Sequence, residues 1–238
     1  MTSTPPILLL AGLLAGCVQA SAAVVTLSSQ APSSNLIRYN ALTAATPANI
    51  NSYWRGPGGT DVKKNIGQGF SLVGETTDYS LQAVTFNIFG FSAPVQGLSF
   101  NISIYQTSAV ATVPTLGNLI ASENGTMASN LVVDDFIRFS LDNAVTLEKG
   151  YFYNVVFSFA EMTSTNSTVQ SLSFKTVGSG VSITSGGRRW IDTDGVYSAS
   201  ASNGFVFYAE GMAIPEPSTL LLAGAGISLV ALRKRIHR

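Results

Sequence analysis

Asp192-Thr193-Asp194-Gly195 places two carboxylates two residues apart ahead of a turn glycine, the spacing that opens a calcium-binding loop. Asp134-Asp135 or Asp142 would have to complete such a site from elsewhere in the chain. The spaced third ligand and distal glutamate of an EF-hand are missing, and Asp-Gly is a favoured two-residue hairpin connection, so the segment reads first as a turn. Calcium is the one cofactor these residues suggest, and the reading does not require it. Tyr53-Trp54-Arg55 and Arg188-Arg189-Trp190 set aromatic rings beside guanidinium groups, which can stack on sugar rings and bond their hydroxyls. Trp54, Arg55, Arg189 and Trp190 are therefore the candidate sugar contacts, and the same residues would equally serve to cover the edge of a sheet. Glycoside hydrolysis needs two carboxyl groups roughly 5–10 Å apart. Asp192 and Asp194 are the nearest approach to such a pair, but no further catalytic signature accompanies them.

Two large enzyme classes fall away on residue supply. The one histidine, His237, sits in a basic C-terminal cluster, so a Ser-His-Asp triad or a His-ligated zinc site cannot be assembled in the body of the chain. No Gly-rich phosphate loop with a following Lys and Ser or Thr is present. The one cysteine, Cys17, lies in an N-terminal apolar run and has no intramolecular partner. Arg233, Lys234, Arg235 and Arg238 supply four of the 13 basic residues, and the body that remains is slightly acidic, which argues against a nucleic-acid partner.

The two ends carry the clearest patterning. Residues 7–18 read ILLLAGLLAGCV, too short to span a bilayer, and small residues follow in Gln19-Ala20-Ser21-Ala22-Ala23. Met1 to about Ala22 thus reads as a cleaved signal peptide, although MTSTPP lacks the usual basic residue. Leu14-Ala15-Gly16-Cys17 also has the form of a lipobox, in which Cys17 would be lipidated and become the new N-terminus. At the other end, Pro215 and Pro217 stop a strand because proline cannot donate a ladder hydrogen bond. An apolar helix is expected over about residues 218–232, of about 22 Å against a hydrocarbon core of about 30 Å. The basic tail at 233–238 should stay on the cytoplasmic side, leaving the body outside.

Pro215-Glu216-Pro217, a short apolar helix and the cluster Arg233-Lys234-Arg235 together resemble the PEP-CTERM sorting signal, which the membrane protease or transpeptidase exosortase recognises in Gram-negative bacteria. The resemblance implies cleavage near Pro215-Glu216-Pro217, a transient stay in the inner membrane, and delivery to the cell envelope or beyond. Such proteins often accompany exopolysaccharide production.

Between the ends, about residues 23–213, the low charge of 11% is made up by Gly, Ser, Thr and Asn rather than by extra apolar residues, which suits an exported all-β domain. Leu98-Ser99-Phe100-Asn101-Ile102-Ser103-Ile104 alternates as a half-buried strand must, with Phe100, Ile102 and Ile104 toward a core. Residues 151–159 are apolar on nearly both faces, as in a central strand, with Phe157 and Phe159 in the core. Further strands are expected at 24–27, 70–73, 81–89, 119–122, 136–141, 170–175, 181–184, 187–191 and 205–209, whereas 43–59 reads as a loop. So many short strands favour a single β-sandwich or jelly-roll-like domain. Gly67-Gln68-Gly69-Phe70, then Tyr79-Ser80-Leu81-Gln82-Ala83-Val84, then Val145-Thr146-Leu147-Glu148-Lys149-Gly150-Tyr151-Phe152-Tyr153 is similar to β-sandwich surface domains that precede such tails.

The expectation is therefore an exported, non-catalytic envelope or matrix protein, structural, adhesive or polysaccharide-associated. A secreted carbohydrate-active hydrolase using body carboxylates is the alternative.

Overall fold

One-sided burial is already legible in Ser99–Thr107, where Phe100, Ile102 and Ile104 are buried and Ser99, Asn101 and Ser103 between them are partly exposed. The computed structural model of the protein describes residues 22–41, 50–55, 64–92, 95–108, 116–159, 170–177, 186–193, 196–200 and 204–215. These residues form β1 (Ala22–Ser28), β2 (Leu36–Asn40), β3 (Ile50–Arg55), β4 (Lys64–Ser71), β5 (Asp78–Phe91), β6 (Ser99–Thr107) and β7 (Asn118–Thr126). They continue as β8 (Phe136–Leu147), β9 (Phe152–Phe159), β10 (Gln170–Lys175), β11 (Gly186–Thr193), β12 (Val196–Ser200) and β13 (Phe207–Ile214). No α-helix occurs among the described residues, so the described part is all-β.

One layer runs β12-β11-β4-β9-β6-β7, and the other runs β1-β8-β5-β13-β2, with β10 and β3 continuing from the far part of β5. β5 is long enough to serve two partners along one edge, pairing with β13 over residues 78–86 and with β10 over 88–91. β1 links the layers. Ala22 and Ala23 pair in parallel with Asn124 and Gly125 of β7, and Val24 to Ser28 pair antiparallel with β8.

Phenylalanines hold the layers together. Phe100 on β6 meets Phe139 on β8 at 5.0 Å, Phe157 on β9 meets Phe139 at 5.3 Å and Phe174 on β10 at 5.9 Å, and Phe70 on β4 meets Phe207 on β13 at 5.9 Å. Each such pair adds about 0.5–1.5 kcal/mol beyond the area it buries. As the apolar composition of 151–159 requires, β9 is central, between β4 and β6. Gly150, at φ 84°, makes the turn from β8 into β9, a conformation that glycine adopts without steric cost.

At the edge, Arg38 on β2 closes the layers by donating from Nε to the Ser71 carbonyl at 2.9 Å and by pairing with Glu75. Glu75 also accepts from the Tyr79 hydroxyl at 2.8 Å. The hydrogen bond from Arg38, followed by that from Tyr79, holds the Glu75 carboxyl below its usual pKa.

Three strands were not legible beforehand. β3 falls inside 43–59, a stretch whose Pro and Gly content reads as a loop; the structure corrects this, because Ile50 to Arg55 pair residue by residue with Lys175 to Gln170 of β10. That partner lies more than a hundred residues away, so local composition could not announce it. β2 is likewise paired with a remote strand, β13, whereas β12 pairs with the adjacent β11 and is only five residues long. The expected strand at 181–184, the signal segment, the membrane helix at 218–232 and the basic tail at 233–238 lie outside the described residues.

Candidate functional site

The outer face of the second layer carries a cross-strand row that alternation builds. On β13, Phe207 and Ala209 belong to the core, which sends Tyr208 and Glu210 to the opposite face. The pairing then aligns Tyr39 of β2, Tyr208 of β13, Thr85 of β5, Arg138 of β8 and Thr26 of β1 side by side. Tyr39 is stacked on Tyr208 with centroids 6.0 Å apart and planes 7° from parallel, and Phe136 meets Tyr208 edge-on at 5.9 Å. Tyr39 is 46% exposed while Tyr208 is buried.

Beside the rings lies a polar set centred on Glu210. Its Oε1 accepts from Thr85 Oγ1 at 2.6 Å, and its Oε2 accepts from Arg138 Nε at 2.9 Å. Arg138 also donates to Ser140 Oγ. Thr85, Arg138 and Glu210, with Phe136, Ser28, Gln30 and Ser33, line a cleft of about 220 Å³. The segment after β1 forms its wall, where Ser28 Oγ accepts from Gln30 N at 3.0 Å. Burial, then the neighbouring Tyr39 phenol, pushes the Tyr208 hydroxyl above its usual pKa, so that ring stays neutral at ordinary pH. A partly exposed ring, a carboxylate and a guanidinium on one sheet face can stack on and hydrogen-bond a polyhydroxylated ligand.

The residues expected from sequence to carry function are placed elsewhere. Trp54 and Arg55 lie on β3 opposite Ser171 and Gln170, and Arg189 and Trp190 lie on β11 opposite Gln68 and Gly67 of β4. The two segments are in different layers and do not share a strand pair. The Arg189 Nε is buried with no hydrogen-bond partner among the described residues, and burial lowers its pKa. Asp192 sits on β11 opposite Asn65 and Tyr197, and Asp194 lies outside the described residues. Thr193 pairs with Val196, so Asp194-Gly195 is the two-residue connection of an antiparallel pair, the place that a hairpin reading gives it. Asp134 pairs with Lys175 at 2.7 Å, away from Asp192 in the pairing scheme. Cys17, Glu216, Pro217, Arg233, Lys234 and Arg235 lie outside the described residues.

The C-terminal motif has a defined root in the fold. Ala213 and Ile214 still pair with Tyr79 and Asp78 of β5, Thr77 Oγ1 donates to the Ile214 carbonyl at 2.9 Å, and Pro215 follows exposed at the surface. A family model for the PEP-CTERM protein-sorting motif matches residues 213–235. The chain carries a PEP-CTERM sorting signal. That signal directs export to the cell envelope or surface by way of transient membrane anchoring, and it implies processing by exosortase, a membrane enzyme.

No curated protein matches the chain. Among solved structures, the chain is similar to the crystal structure of the cysteine protease and lectin-like domains of Cwp84, a surface layer associated protein of Clostridium difficile. The identity is 15% and the TM-score 0.38, over 62% of this chain and 32% of that one, so the chain spans about a third of that protein's length.

Tyr39, Thr85, Arg138, Tyr208 and Glu210 were not singled out by sequence. The strand at 205–209 was legible, and its alternation marks Tyr208 as facing away from Phe207, but nothing local names the four other strands that complete the row.

Proposed function

We propose that the body of this protein is a non-catalytic surface module that reaches the envelope through its sorting signal and contacts polysaccharide there. Its N-terminal apolar segment serves as the export signal. What supports a polysaccharide contact is Tyr39, a ring 46% exposed and stacked on a second tyrosine, on the same sheet face as a carboxylate and a guanidinium. Trp54, Arg55, Arg189 and Trp190 would add contacts at other points on the surface. No step in this reading needs a cofactor, and Asp194-Gly195 is read as a hairpin connection rather than as part of a calcium loop. Exosortase cleavage near Pro215-Glu216-Pro217 would leave β13 whole, since the strand ends at Ile214.

Retention of the protein on exopolysaccharide purified from its own cells tests the reading. Tyr39→Ala should lower retention several-fold with an unchanged melting temperature, and Trp54→Ala with Trp190→Ala should lower it further. Undiminished retention of all three variants would rule out this contact. Release of new reducing ends from the polysaccharide, abolished by substitution of Asp192 or Asp194, would replace the binding module with a hydrolase.

A further inference from the structure

Glu210 is 8% exposed, yet among the described residues its carboxylate takes only two hydrogen bonds, one from Thr85 Oγ1 and one from Arg138 Nε. A carboxylate offers about four acceptor positions, so this one keeps acceptor capacity toward the cleft it lines. Arg138 spends Nε on Glu210 and Nη1 on Ser140, and its Nη2 has no hydrogen-bond partner among the described residues. A carboxylate that can still accept therefore stands beside a guanidinium that can still donate, 2.9 Å away.

These two groups are opposite in sign and are the charged side chains of the cleft. An anion drawn to Arg138 would lie against Glu210, and a cation drawn to Glu210 would lie against Arg138. A neutral group meets neither repulsion. Two adjacent ring hydroxyls match the pair, because one donates to the carboxylate while its neighbour accepts from the guanidinium.

The facing wall is held by the body of the protein. Ser28 Oγ donates to the Gln30 carbonyl at 2.9 Å and accepts from the Gln30 amide at 3.0 Å, which fixes the bend after β1. Ala31 and Phe136 then pack on the buried cluster of Val177, Val206 and Tyr208. Size limits what enters: drug-sized ligands occupy pockets of about 300–1,000 Å³, and this cleft is smaller, at about 220 Å³. It has room for one ring rather than for a run of them.

Resting on the polysaccharide reading above, we propose that the cleft takes a single uncharged sugar unit of that polymer, held by two adjacent hydroxyls on Glu210 and Arg138. Units carrying a carboxylate, a sulfate or a free amine are excluded by the charge that each would meet.

Amide NMR shifts of the protein isolated from its own cells test this with methyl glucoside, galactoside and mannoside, their uronide counterparts, and the same glycosides deoxygenated at one of two adjacent hydroxyls. At least one neutral glycoside should bind in the millimolar range and shift the amides of Gln30, Phe136, Arg138 and Glu210. Its uronide and deoxygenated forms should bind at least about tenfold more weakly. Arg138→Met should weaken binding similarly, and Ser33→Phe, at an exposed wall position that leaves the core untouched, should block it with an unchanged melting temperature. Silence of these amides toward all three neutral glycosides would overturn the proposal, as would a uronide binding as tightly as its neutral counterpart. If such silence came with exopolysaccharide retention still lowered by Tyr39→Ala, the cleft assignment would fail while the polysaccharide contact stood. Glycoside binding here with retention indifferent to Tyr39→Ala would uphold the cleft and remove the contact at Tyr39.

Discussion

The Arg138 guanidinium on β8 and the Glu210 carboxylate on β13 meet at 2.9 Å across β5, the strand that separates them, and Thr85 of β5 completes the contact from below. Three strands from widely separated parts of the chain are thus tied on one face by one carboxylate. Glu210 is buried and Arg138 is partly exposed, so the pair is shielded on one side only. Removing Glu210 should cost about 2 kcal/mol, as for a hydrogen bond to a charged group. A double-mutant cycle with Arg138→Ala and Glu210→Ala in urea should give a coupling of about 1–2 kcal/mol. Additive losses would mean that the pair does not tie the strands.

Phe157 touches Phe100, Phe139, Phe159 and Phe174, so it contacts both layers at once. Phe157→Ala should destabilise the body by about 3–5 kcal/mol, the range for a buried ring replaced by a cavity. The urea midpoint should fall with little change in slope. A loss under about 1 kcal/mol would show that the layers can close around the gap.

Gly125 sits where β1 crosses between layers, and a Cβ built there overlaps the Phe100 ring and lies 2.6 Å from the Ala23 carbonyl oxygen. The ring is core and the carbonyl is backbone, so neither yields cheaply. Gly125→Ala should cost about 1–3 kcal/mol, as overpacking does, and should speed amide exchange at Ala23 and Val24 before the rest of the sheet. Unchanged exchange there would show that the crossing has room.

Glu75 gives the body a pH dependence whose sign follows from its hydrogen bonds. Its pKa is lowered in the folded state by Arg38 and then Tyr79, so its contribution is present above the unfolded carboxyl pKa and is lost as pH falls through the folded one. The wild type should exceed Glu75→Gln by up to about 1 kcal/mol near neutrality, the scale of a partly exposed pair. Urea midpoints at neutral and acid pH should show that gap closing below the ordinary carboxyl range. A gap independent of pH would assign the effect to packing.

What the sequence determined by itself was local. Alternation in 98–104 announced β6 and its buried face, and two-sided apolar character in 151–159 announced a central strand. The sorting motif was equally legible, because proline content, apolar length and terminal charge are properties of one short continuous segment. What tertiary structure decided was partnership. β3 reads as loop until β10 lies beside it, and nothing local marks Tyr39, Thr85, Arg138 and Glu210 until four strands align them. A strand's side-chain alternation is encoded within it, whereas its neighbours are chosen by backbone hydrogen bonds that look the same for every residue type. Only the packing of the whole sheet selects among them.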